Sequence, residues 1–311
     1  MLVSKIERRE FLQRLALTLA ALPEIAHARV MGERLPIGFS TLGCPSWSWS
    51  KILDFARQNG FAAVELRGLQ GTMDLPSRPE FADAQIEQSK KEVADRGLRI
   101  SCVSSSAEMH QTGAEHEKQL ADARRFIDLA SRLGAPYVRV FGNKLVEPHD
   151  AAVEHIAGAL RELGDYAGPK NVTVILESHG DFTNSGILRE ILEKAASQRV
   201  GLLWDAHHTF VDGKEDPAFT FGQLGKYIRH THLKDSRMEN GERHYVLTGR
   251  GDVPVKRQVE VLASAGYGGY YSFEWEKVWH PELAEPEVAI ADYARVMTEY
   301  LHASTAQQKH S

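Results

Sequence analysis

The chain of 311 residues has little cysteine, only Cys44 and Cys102. Two thiols exclude a disulfide framework and a thiolate zinc site, so any metal must be held by oxygen and imidazole. A basic excess is also missing. Against 37 basic residues stand 42 acidic ones, a net charge of −5 with no basic run, which argues against nucleic acid as a partner. The apolar stretch from Leu15 to Leu22 is too short to span a bilayer, so stable membrane insertion is not expected. No glycine-rich dinucleotide or phosphate-binding loop follows the first strand, which favours an uncharged substrate. No linker or low-complexity segment interrupts residues 36–302. What is present is ordinary for a globular protein, 42% hydrophobic and 25% charged residues, enough for a large core. Length alone leaves open two domains or one α/β barrel. Histidine stands out. The chain has 14, and seven of them fall between His179 and His280, which points to a site in the C-terminal half.

The N-terminus reads as an address. Arg8 and Arg9 precede Glu10, Phe11 and Leu12, the twin-arginine pattern. The apolar stretch follows, and then Ala26-His27-Ala28 offers a cleavage site. Residues 1–28 are therefore expected to be a signal peptide and the protein periplasmic. The competing expectation, supported by Arg14 within the apolar region, is an amphipathic helix on a cytoplasmic protein.

From Pro36 onward short β-rich runs alternate with longer helical patterns. Eight strands are expected: Ile37–Thr41, Ala62–Arg67, Arg99–Ser104, Tyr137–Phe141, Thr173–Glu177, Gly201–Asp205, Ile228–Lys234 and Tyr270–Glu274. Helices are expected between them, among them Ser48–Gln58, Arg78–Arg96 and Pro286–His302, often closed by a glycine such as Gly60, Gly97, Gly134 or Gly266. Eight β-α units in one run predict an α/β fold, a (β/α)8 TIM barrel as a single domain over residues 36–302. Residues 303–311 are expected to be a flexible tail.

Strand alternation then sorts the side chains. Glu65, Arg67, Arg139, Glu177, His179, Asp205, His230, His232, Lys234, Ser272, Glu274 and Glu276 fall on the inward phase. So polar an interior is unfavourable without partners, and the C-terminal ends of barrel strands are where sites are built. Four consecutive strands end in Glu177, Asp205, His232 and Glu274. Three carboxylates and an imidazole make a hard donor set, suited to one divalent metal: Mn²⁺ first, with Mg²⁺, Co²⁺, Fe²⁺ and Zn²⁺ as alternatives.

At these motifs the chain resembles a known family. Ile-Leu-Glu-Ser-His (175–179), Leu-Trp-Asp-Ala-His-His (203–208), His-Thr-His-Leu-Lys-Asp (230–235), Gly-Arg-Gly-Asp-Val-Pro (249–254) and Ser-Phe-Glu-Trp-Glu (272–276) are similar to those of the xylose-isomerase-like TIM-barrel sugar isomerases and epimerases, whose superfamily includes AP endonuclease family 2. The resemblance runs from about Pro36 to Leu301. It implies Glu177, Asp205, His232 and Glu274 as metal ligands, with Glu276 a rival for Glu274 and His230 structural. It implies Glu177 and Glu274 as acid and base, exchanging protons with a sugar next to its carbonyl through a metal-stabilised enediolate. His208 would contact substrate, with His179 beside it. Lys234, Arg67, Arg139 and Arg250 would add positive charge at the mouth, and Trp47 an aromatic surface.

The expected function is a divalent-metal-dependent sugar or keto-sugar isomerase or epimerase. The alternative is a lyase or dehydratase acting on keto-sugars or 3-keto-glycosides by the same enolate chemistry. More remote are a non-catalytic sugar-binding protein and an AP endonuclease, for which Glu242-Arg243-His244 is the sole added motif. The expected partner is a small carbohydrate, and the apolar outer faces of a barrel are compatible with a homo-oligomer.

Overall fold

The computed structural model describes residues 34–145 and 148–308. The expected signal peptide lies outside the described residues. Eight parallel strands close into one barrel: β1 (Ile37–Ser40), β2 (Ala63–Leu66), β3 (Arg99–Glu108), β4 (Tyr137–Asn143), β5 (Thr173–Gly180), β6 (Val200–Asp205), β7 (Ile228–Leu233) and, after a hairpin, β10 (Tyr271–Phe273). β10 pairs with both β7 and β1, which completes the ring. Long helices fill the connections: α1 (Trp49–Gln58), α2 (Ile86–Asp95), α3 (Gly113–Leu133), α4 (His149–Ala167), α5 (Ser185–Ala195), the one-turn α6 (Ala206–Val211), α7 (Pro217–Leu224), α8 (Val255–Ser264) and α9 (Pro286–Gln308).

The helices form where the apolar spacing says they should. α1 buries Trp49, Ile52, Leu53 and Ala56, positions i, i+3, i+4 and i+7, and Ser48 caps it by accepting from the Lys51 N–H. Two departures have local causes. The helix expected over 78–96 starts only at Ile86, because Pro76 and Pro79 sit in two short 3₁₀ turns ahead of it. The last helix runs on to Gln308, past His302, with the Ser304 hydroxyl donating to the Tyr300 carbonyl.

An unexpected hairpin leaves the mouth: β8 (Asp235–Glu239) pairs antiparallel with β9 (Glu242–Val246). Its turn is Asn240-Gly241, both at positive φ (52° and 86°), the sequence a two-residue hairpin turn prefers. Glu242, Arg243 and His244 lie on this arm, which separates them from the interior carboxylates.

The strands sort their side chains as alternation requires. Val174, Leu176, Leu202, Trp204, Leu233, Tyr271 and Phe273 join the layer under the helices. Cys102, Ile175 and Leu203 form a separate apolar cluster, with Tyr137 packed on it. Each fully buried Leu or Ile is worth roughly 1.5–3 kcal/mol. That frame holds the polar strand tips in place.

Candidate metal centre

Glu177, Asp205, His232 and Glu274 come from four neighbouring strands, and one donor atom from each lies within 4.8 Å of all the others. All four are buried. His232 is central. Its Nδ1 is 3.2 Å from Glu274 Oε1, 3.6 Å from Glu177 Oε1 and 3.9 Å from Asp205 Oδ2, yet it has no hydrogen-bond partner. Its Nε2 lies 2.8 Å from Glu65 Oε2. A carboxylate behind the far nitrogen fixes the ring so that Nδ1 faces inward, the usual support of a ligating histidine. An orphaned imidazole nitrogen among three carboxylates fits a divalent cation.

Local structure explains how each donor is aimed. Asp205 ends β6 and caps α6: Oδ1 accepts from the N–H groups of His207 and His208, which leaves Oδ2 toward the cluster. Glu65 also meets His230 Nε2 at 2.8 Å and accepts from the Ser104 hydroxyl. His230 therefore sits behind the cluster, as a structural partner.

Electrostatics divides the carboxylates. Burial would raise Glu177, but Arg139, 3.1 Å away, holds it down at about 2 despite Glu274 nearby. Burial likewise opposes the ionised form of Glu274, and His232 and Lys234 outweigh it, so its carboxyl lies well below the ordinary range. Glu276 is pushed up by burial more than Lys234 lowers it, and the Glu274 charge adds to the rise. Lys234 ties these groups together. Its ammonium contacts Glu274, Asp205 Oδ2 at 2.7 Å and Glu276 Oε1 at 2.8 Å.

The other expected contacts divide. His208 projects Nε2 to 3.7 Å from Asp205 Oδ2 while Asp212 holds its Nδ1. His179 packs edge-on against the His208 ring, 5.0 Å between centroids. Arg67 is buried at the end of β2 and donates to the Ser106 hydroxyl. Arg250 and Trp47 are not brought to the cluster. The Gly249 and Gly251 N–H groups turn inward to Asp235, and a Cβ on Gly251 would come within 2.2 Å of that carboxylate. Arg250, between them, faces outward to Asp292 on α9. Trp47 is buried against Phe55 and lines a separate hollow of about 430 Å³ with Lys51 and Lys277.

Sequence reading missed a second support. The Glu108 carboxylate accepts from Asn143 Nδ2 at 2.6 Å, and Asn143 Oδ1 meets His179 Nδ1 at 2.9 Å. The carboxylate fixes the amide, and the amide makes Nδ1 the protonated nitrogen of His179. Glu108 lies beyond the expected end of its strand, at a register shift, where alternation could not flag it.

Among the described residues no helix is long and apolar enough to cross a membrane. A family model described as "Xylose isomerase-like TIM barrel" matches residues 53–300. The inosose dehydratase of Geobacillus thermodenitrificans is 27% identical over 229 residues, 63% of this chain and 75% of that protein. Further dehydratase relatives are matched over 53–66% of their length. In structure the chain is similar to a zinc-bound IOLI protein (TM-score 0.73, 18% identity, 87% of this chain and 99% of that one). It is also similar to an L-ribulose 3-epimerase (TM-score 0.72, 18% identity, 88% and 97%). The closed barrel and the match over most of its length show that this chain belongs to the xylose isomerase-like TIM barrel family, a family of enzymes.

Proposed function

We propose that the protein is a divalent-metal-dependent dehydratase, a lyase acting on a keto-sugar or a cyclic polyol ketone. The observation that carries this is the placement of the carboxylates: Glu177 and Glu274 meet in the four-donor cluster, and Glu276 is held at its edge by the same Lys234 ammonium that contacts Glu274. The dehydratase relatives support the reading.

Glu177 and Glu274 flank the substrate, and one of them takes the proton from the carbon beside the carbonyl. The electron pair moves to form a carbon–carbon double bond, and the C–O bond at the β-carbon breaks. Glu276, held by Lys234, gives its proton to the departing hydroxyl, which leaves as water. His208 and His179 hold the substrate oxygens. Glu177, Asp205, His232 and Glu274 would hold the metal, Mn²⁺ by the hardness of the donor set. A divalent ion there would supply Lewis acidity toward the carbonyl oxygen.

A second reading, isomerase or epimerase, is favoured by the similar reach of Glu177 and Glu274 to His232 Nδ1, 3.6 and 3.2 Å. Proton return to carbon from the opposite face would use that pair. The test is the Mn²⁺-loaded protein in D₂O with inososes, free ketoses, 3-keto-glycosides and a cyclic polyhydroxy keto acid, products read by NMR. Elimination yields an unsaturated ketone and water. Epimerisation yields a new ketose carrying deuterium at the α-carbon. Absence of both across the panel overturns the reading.

For residues 1–28 the proposal is a twin-arginine signal that places the protein in the periplasm. Arg8→Lys with Arg9→Lys should retain it in the cytoplasm on fractionation, and an unchanged location removes the claim.

A further inference from the structure

Three cations point toward the cluster, and two are already neutralised. Lys234 is shared by Asp205, Glu274 and Glu276. Arg139 pairs with Glu177 at 3.1 Å and lies over the Phe141 ring, 3.8 Å from its centroid. Arg67 differs. It is only 7% exposed, yet among the described residues no carboxylate lies within ion-pair distance of it. Its one side-chain hydrogen bond is from Nη1 to the Ser106 hydroxyl, 2.9 Å. Nε and Nη2 have no acceptor among the described residues and are not sealed from solvent. Ser106 itself is exposed.

A buried guanidinium with an empty edge is costly unless an anion completes it. We propose that Arg67 is the anchor for a carboxylate on the substrate, so that the keto compound this enzyme takes is a keto acid. This rests on the proton-abstraction reading above and narrows its substrate class. A planar fork with two free N–H edges suits a carboxylate, which it can meet with parallel hydrogen bonds. One open arginine, with no phosphate-binding loop, suits a monoanion better than a phosphate. Burial, and then the Arg139 charge, push the Arg67 guanidinium down to about 9, against the opposing pull of Glu177, Glu274 and Glu65 from beyond ion-pair distance. The absence of a glycine loop had favoured an uncharged substrate. It excludes the phosphate, and the open guanidinium restores a smaller anion.

The test is calorimetric binding of quinate, myo-inositol and inorganic phosphate to the metal-loaded protein. Quinate and myo-inositol are both cyclohexane polyols, and quinate carries the carboxylate. Quinate should bind about tenfold or more tighter than myo-inositol. Arg67→Met should weaken quinate by about 10–100-fold and leave myo-inositol within about threefold, with metal content unchanged. Arg67→Lys should keep part of the preference, and serves if the methionine variant does not fold. An equal affinity for the two polyols, a ratio unchanged in Arg67→Met, no quinate binding, or phosphate binding tighter than quinate overturns the proposal. Solvent-deuterium exchange into a keto-sugar tests the underlying reaction separately, so the anchor and the chemistry can fail independently.

Discussion

At the floor of the barrel Ile175 and Leu203 close against Cys102 with no charge among them. Two residues further along the same strands stand Glu177 and Asp205, buried to the same degree. Two residues of strand are about 7 Å. On these two strands that distance separates an apolar cluster from ionised groups, while the register sets Arg139 beside Ile175, His230 beside Leu203 and Glu65 beside Cys102. The three apolar side chains need no partners of their own. The mouth is stable only as a network, since each charge there depends on another. The floor therefore carries stability and the mouth carries binding and chemistry, and the two should fail differently.

The largest contrast should come from Glu274→Gln. It removes a candidate ligand and a proton-transfer group, and activity toward any accepted substrate should fall by about 10²–10⁴-fold while the fold survives. Retained full activity would place the proton transfer elsewhere. Next is Leu203→Ala at the floor. It should cost about 2–5 kcal/mol in denaturant unfolding and leave metal per folded chain unchanged. Loss of metal at equal folding would mean that floor and mouth are coupled.

Glu65→Gln should be smaller and should fall on the metal. With the carboxylate behind His232 gone, metal affinity should weaken by about 10–100-fold in a competitive chelator titration. Unchanged affinity would show that the ring is held without the Glu65 carboxylate. The smallest effect should be Glu108→Gln, two steps from the cluster. A few-fold drop in kcat is expected, with the ¹⁵N shifts of His179 moving away from the Nδ1–H tautomer. A drop in rate with those shifts unchanged would reduce Glu108 to a loop brace.

Much of the mouth was legible because strands alternate strictly. Period two places Glu177 above Ile175, His232 above His230 and Glu276 above Glu274, whatever packs around them. Arg250 shows where such reading stops. It lies in a loop, where no period applies, and the inward turn of Gly249 and Gly251 to Asp235 sent its side chain out. Trp47 likewise lies in a loop, and it packs on Phe55. The β8–β9 hairpin was readable from Asn240-Gly241, but those residues sat where a barrel connection was expected to be a simple loop.

By itself the sequence determined the eight-unit barrel, the inward phase of each strand and the four clustered donors, because these follow from local periodicity. Tertiary structure alone decided which charge answers which. Glu65 supports His230 from 165 positions away, Arg139 and not Arg67 pairs with Glu177, and Asn143 orients His179. Such pairings depend on how the ring closes and on distances of a few ångström between strands remote in sequence. Coulomb and hydrogen-bond energies change over those distances.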